Sequence, residues 1–238
     1  MKVLSAVLGC ISLLALQACS SIGEELSAEG TLRVLPIEVK TEADVEPLST
    51  RAVDEALQVD IMQGSTVIRT YDAGSSELNG LISLPVGNYT LYAHSPQMQE
   101  AANDEQGSPT YTVSRDFKII ADKTTTLGNL EATQSNVGVL LQYQEQFMDL
   151  FTSLSCTLSS PSTGRSITIS GTENRDLTYF HVPANGTLQY TFEATNQDGE
   201  SFRSPVKTIS VTEAKNVYVL EEPFAAAIGA GVDIESAV

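Results

Sequence analysis

The side chains able to do covalent or metal chemistry are few: Cys10, Cys19, Cys156, His94 and His181 in a chain of 238 residues. Neither histidine stands at ligand spacing from a cysteine, an acid or the other histidine, so no metal site and no cofactor is expected. The sequence has no glycine-rich phosphate loop, no Gly-x-Ser-x-Gly elbow and no zincin helix motif. Its 30 acidic residues could still meet in space. A hydrolase would need a pocket where His94 or His181 converges with acids, and without one the expectation is a non-enzyme. Cys156 lies in Leu154-Ser155-Cys156-Thr157-Leu158, where it reads as a strand residue; as a nucleophile it would need a basic neighbour. Asn196-Gln197-Asp198-Gly199-Glu200 lacks the alternating acids of a calcium loop and reads as a hairpin turn. Tryptophan is absent, which excludes a Trp-rich sugar platform. Tyr71, Tyr92 and Tyr111 remain as candidate glycan contacts near the 95–109 loop.

Cys19 has a different chemistry. Lys2 precedes an apolar run from Val3 to Leu16, which ends in Leu16-Gln17-Ala18-Cys19. The run is too short to span a membrane and has the basic start and small-residue exit of a secretory signal. A small residue followed by Cys resembles the lipobox of bacterial lipoproteins. That resemblance implies removal of residues 1–18 and acylation of Cys19 as the new N-terminus, with palmitate among the chains. Several chains would anchor the protein durably in outer-membrane lipid.

Charge narrows the partners further. Removing residues 1–18 takes away Lys2 and no acid, leaving 12 basic and 30 acidic side chains, a net charge of −18. Nucleic acid is not expected as a partner, nor is a basic contact with anionic headgroups. With Cys10 gone and Cys19 acylated, Cys156 has no intramolecular disulfide partner.

The elements that must carry these residues are strands. Ser20 to Glu29 is a polar, acidic tether. Alternation then predicts strands at 31–39, with Pro36 marking an edge or bulge, and at 57–62, 66–71, 78–84, 89–94, 115–120 and 125–130. The long polar loop Ser95 to Pro109 follows the fifth of these. A second set is predicted at 136–143, 154–159, 166–170, 177–182, 187–195, 201–211 and 216–220. One short helix is expected at Gln144 to Phe151, from the spacing of Phe147, Leu150 and Phe151. Small residues dominate 224–238, which reads as a frayed tail, although alternation at Val232, Ile234 and Val238 permits a strand.

Two blocks recur in order. Leu84-Pro85-Val86-Gly87-Asn88-Tyr89-Thr90-Leu91-Tyr92-Ala93 is echoed by the stretch from Val182-Pro183 to Phe192, and 117–124 by 209–216. The expected architecture is therefore all-β, with two similar sandwiches joined near 132–135, one large sandwich being the competing arrangement.

Together with Gly30-Thr31-Leu32, Thr50-Arg51-Ala52 and Thr195-Asn196-Gln197-Asp198-Gly199, these features resemble the fimbrillin-like surface lipoproteins of Bacteroidetes, and within them an uncharacterised-domain family. The resemblance covers roughly residues 30–222. It implies two tandem transthyretin-like (Ig-like) sandwiches, at 30–132 and 133–223, and proteolytic processing between Arg51 and Ala52. It also implies a lipid-anchored, surface-exposed place on the outer membrane and a role as pilus subunit, tip or anchor in adhesion. Losing residues 19–51 would open a groove for a strand of another fimbrial subunit. The alternative is a monomeric anchored module that binds a glycan or host protein.

Overall fold

Alternation of apolar and polar residues produces the strands, and proline and glycine decide where they stop. The computed structural model describes residues 28–40, 56–143, 150–171 and 176–221. The first part of the chain forms β1 (Glu29–Val34), β2 (Ile37–Lys40), β3 (Gln58–Gln63), β4 (Thr66–Tyr71), β5 (Ile82–Pro85), β6 (Gly87–His94), β7 (Tyr111–Ile119), β8 (Thr124–Leu127) and β9 (Leu130–Gln134). The second forms β10 (Val137–Tyr143), β11 (Phe151–Ser159), β12 (Ser166–Ser170), β13 (Thr178–Phe180), β14 (Thr187–Asn196), β15 (Ser201–Arg203), β16 (Lys207–Ser210) and β17 (Asn216–Glu221).

Among the described residues these strands form four sheets, in two pairs. A three-stranded sheet, β5-β1-β8, packs on a six-stranded one, β2-β9-β7-β6-β3-β4. A second three-stranded sheet, β13-β10-β17, packs on β12-β11-β14-β15, with β16 also paired to β14. Each pair encloses its own cluster of buried residues, the first drawn from Leu32 to Ala132 and the second from Val137 to Val211. The two halves repeat one topology. In each, a central strand (β1, β10) runs antiparallel to one neighbour (β5, β13) and parallel to the other (β8, β17). The recurrent sequence blocks fall on the same places in the two halves, at the step from β5 to β6 and from β13 to β14.

Several predicted strands are broken, each for a local reason. The 31–39 strand divides at Pro36, where the chain leaves the three-stranded sheet as β1 and enters the six-stranded sheet as β2. The 125–130 strand divides likewise into β8 and β9 at Gly128-Asn129, and Asn129 takes a left-handed φ of 54°. These two sheet-switching corners touch, since a Cβ on Gly128 would lie 2.9 Å from Leu35 Cδ1. The 201–211 strand divides at Ser204-Pro205, where proline has no donor to give. Ser204 fills the gap: its N–H donates to the Phe192 carbonyl at 2.9 Å, and its Oγ accepts from Phe192 N at 2.9 Å. In 78–84, residues Ser76–Asn79 form a 3-10 turn instead, and only Ile82–Pro85 is strand. Most of the predicted helix falls on 144–149, outside the described residues, and its last residue, Phe151, opens β11. The tail 224–238 also lies outside them. Among the described residues no helix is long and apolar enough to cross a membrane.

Candidate functional site

Cys19, Arg51 and Ala52 lie outside the described residues. What the structure does place is one part of the segment between them, residues 28–40. β1 sits in the middle of its sheet, with Leu32 fully buried and Val34 7% exposed, in one cluster with Ile82, Leu84 and Leu127. Its backbone is held on both sides, as in Val86 N–H to the Ala28 carbonyl at 2.7 Å at the β5 end and Leu35 N–H to the Leu127 carbonyl at 2.8 Å on β8. Side chains add to this through Thr31 and Thr124 hydroxyls 2.8 Å apart and Ser83 Oγ donating to Glu29 at 2.6 Å.

The seat of β1 has one narrow point. A Cβ on Gly30 would collide with the Ile120 carbonyl oxygen and lie 2.9 Å from that of Lys123. Backbone cannot yield there as a side chain could, so this position takes glycine because of close approach. Gly138 occupies the same second place in β10, where a Cβ would meet Asn216 Oδ1 and lie 3.0 Å from Tyr179.

The polar loop 95–109 binds the two halves together. Its ends meet where Ser95 N–H donates to the Tyr111 carbonyl at 3.0 Å and Ser95 Oγ accepts from Tyr111 N at 2.8 Å. Its middle reaches the second half. The Gln106 carbonyl accepts from Tyr179 N at 2.8 Å, and Asp104 N–H donates to the Ser166 carbonyl at 3.1 Å. Asn103 and Asp104 side chains accept from the N–H groups of Ser166 and Thr168. Arg165, only 4% exposed, donates from Nε to the Ala101 carbonyl at 2.9 Å and from Nη2 to that of Glu105. Burial lowers the pKa of its guanidinium, opposed by the nearby Glu100 and Glu105. The sequence marks this loop as polar surface; its docking role rests on Arg165, some 60 residues away in the chain.

The histidines do not converge on a hydrolytic site. His94 Nδ1 faces the Ser95 carbonyl at 2.8 Å and therefore carries its proton, while Nε2 lies 3.4 Å from Gln58 Nε2 and 3.5 Å from Asp60. An acyl-transfer triad has the opposite arrangement, acid at one ring nitrogen and nucleophile at the other. His181 Nε2 donates to the Met98 carbonyl at 3.0 Å, and its backbone N–H to Glu100 at 2.9 Å. Both rings are committed to holding the loop or its root. Among the described residues no group of three or more His, Cys, Asp or Glu is placed to hold a metal ion. Asn196–Glu200 forms the expected hairpin between β14 and β15, with Asn196 Oδ1 accepting from Asp198 N and Glu200 N. Cys156 is fully buried in β11.

The tyrosine expectation needs correction. Tyr71 is 7% and Tyr111 2% exposed, because strand parity turns both rings into the first core. Tyr92 alone points outward, stacked on the His94 ring with centroids 5.0 Å apart. Burial, and secondarily Asp60, raises its hydroxyl pKa.

The model of a family described as a domain of unknown function, DUF4493, matches residues 28–229. No curated protein matches the chain. Among solved structures, a candidate adhesin from Bacteroides ovatus is 9% identical, with 92% of this chain and 98% of that chain covered and a TM-score of 0.41. A candidate cell adhesion protein from the same species is 10% identical over 81% and 92% of the two chains, with a TM-score of 0.41. A candidate cell adhesion protein from Bacteroides thetaiotaomicron is 12% identical over 88% and 97%, with a TM-score of 0.35. At that level of similarity no role passes from those proteins to this one.

Proposed function

The chain belongs to the DUF4493 family, and we propose for it the role of a non-enzymatic, lipid-anchored surface protein of fimbrillin type, two transthyretin-like sandwiches (30–132 and 133–223) serving as pilus subunit, tip or anchor in adhesion. Cys19 carries the acyl chains in the outer membrane. Cleavage between Arg51 and Ala52 converts the anchored precursor into the assembling form, which receives a strand from another fimbrial subunit.

The observation that supports this reading is the seat of β1. The strand that follows the tether is central in its sheet, so a cut at Arg51 would leave β1 and β2 held by non-covalent contacts alone. Their departure would bare Ile82, Leu84 and Leu127 and two rows of unpaired backbone groups on β5 and β8. Such a slot is refilled by an extended chain, because backbone hydrogen bonds supply affinity and alternate apolar side chains supply register. An incoming strand must carry glycine where the Ile120 and Lys123 carbonyls close in, which selects one register.

Limited trypsin treatment of the purified protein, followed by mass spectrometry and size-exclusion chromatography, tests it. An early single cut after Arg51 with new oligomers is the expected result. Resistance at Arg51, or a cut that leaves a monomer, would replace this role with that of an anchored module for a glycan or host protein.

A further inference from the structure

We propose that the outer face of the five-stranded sheet, β12-β11-β14 with β15 and β16, is a binding site for neutral polysaccharide. The argument starts from parity. Inward positions include Leu154, Cys156, Leu158 and Phe192, all buried, while Phe202 on β15 and Lys207 on β16 share that parity and are half-buried. The outward positions alternate with them and are serines and threonines, apart from Gln189, Glu193 and Arg203.

The rows run straight across the sheet. Ser170 pairs with Ser155, Ser155 with Glu193 and Glu193 with Arg203, while Thr195 pairs with Ser201 in the next row. These residues, together with Ser153, Leu154, Ala194 and Phe202, line an open cleft of about 550 Å³. Glu193 and Arg203 lie 3.4 Å apart and cancel each other's charge. On a chain of net charge −17, the outward side chains of these strands sum to zero charge, with the Asp104 carboxylate at the β12 edge.

Neither propensity nor fold requires that. Threonine is favoured in strands, but serine is not among the residues that strands select. The repeat supplies an internal control as well. The equivalent outer face in the first half bears Asp60, Asp116, Lys118 and Glu131, so the same topology accepts charge. Hydroxyls on adjacent strands stand about 4.8 Å apart across a sheet. Each can donate one hydrogen bond and accept others, which suits a ligand that is itself a ladder of hydroxyls. An anionic polymer would be repelled by the rest of the molecule, whereas a neutral glycan is not. Because the cleft lies in the second half, the site needs no cleavage at Arg51 and stands apart from the assembly role.

The test is native affinity electrophoresis of the whole purified protein in gels containing dextran, galactomannan or xyloglucan, with polygalacturonate as the anionic probe. Retardation by at least one neutral polymer and none by polygalacturonate is expected. Replacing Ser155→Glu and Ser170→Glu together should abolish it, Ser155→Ala with Ser170→Ala should weaken it about fivefold per hydrogen bond lost, and Ser114→Glu on the first half should leave it unchanged. Absence of retardation in all three neutral polymers overturns the proposal. So does equal loss with Ser114→Glu, or a dimer broken by the Ser155 and Ser170 variants without any retardation, which would make this face a contact between copies.

Discussion

The guanidinium of Arg165 lies 4.2 Å above the ring of Phe180 while its donors reach back to carbonyls of the 95–109 loop. One side chain thus joins the core of the second half to a loop rooted in the first. Its weight is large because a buried cation that loses its acceptors, or acceptors that lose their cation, cannot turn to water.

Arg165→Met keeps the packing of the stem and removes the donors. We expect a loss of about 2–4 kcal/mol. Hydrogen exchange should show the loop amides of 100–107 losing protection, with the β10–β11 core unaffected. Unchanged protection in that loop would mean that Arg165 does not hold it.

Gly30→Val forces a side chain against two backbone carbonyls in the seat of β1. Overpacking of this kind costs about 1–3 kcal/mol or more. The variant should release the 19–51 fragment from trypsin-nicked protein faster than the wild type does, measured by size-exclusion chromatography. Gly80→Ala, at a turn of negative φ where a Cβ would meet nothing nearer than the Glu77 carbonyl oxygen at 3.5 Å, serves as the comparison.

Ser204→Ala removes the acceptor of the Phe192 N–H inside the second half. An orphaned buried donor costs about 1–3 kcal/mol, and each kcal/mol lowers Tm by about 2–4 °C at this chain size. A thermal melt unchanged from wild type would show that another acceptor takes over.

Tyr92 supplies a pH-dependent signal. Its raised pKa comes from burial first and Asp60 second. Since the folded value exceeds the unfolded one, the stability it contributes is complete below pH of about 10 and is lost as pH rises through the folded pKa. Asp60→Asn removes only the smaller cause, so the Tyr92 titration should move down yet stay above the ordinary tyrosine range. Absorbance at alkaline pH, with Tyr92→Phe as reference, measures this.

By itself the sequence determined what depends on near neighbours along the chain. A period of two decides which side chains share a face, so the strand set, the hairpin at Asn196–Glu200 and the repeat at Leu84 and Val182 were legible without coordinates. Proline and glycine were legible as interruptions too, but not as corners: that Pro36 moves the chain from one sheet to another depends on which strands are waiting there. Pairing is decided by contacts far apart in sequence, as with Thr31 and Thr124, separated by 93 positions. The same holds for the inward turn of Tyr71 and Tyr111, the glycine demanded at position 30 by Ile120 and Lys123, and the capture of the polar 95–109 loop by Arg165. Alternation specifies a face but not what the face meets, and only closure of the two sandwiches supplies the second partner of each contact.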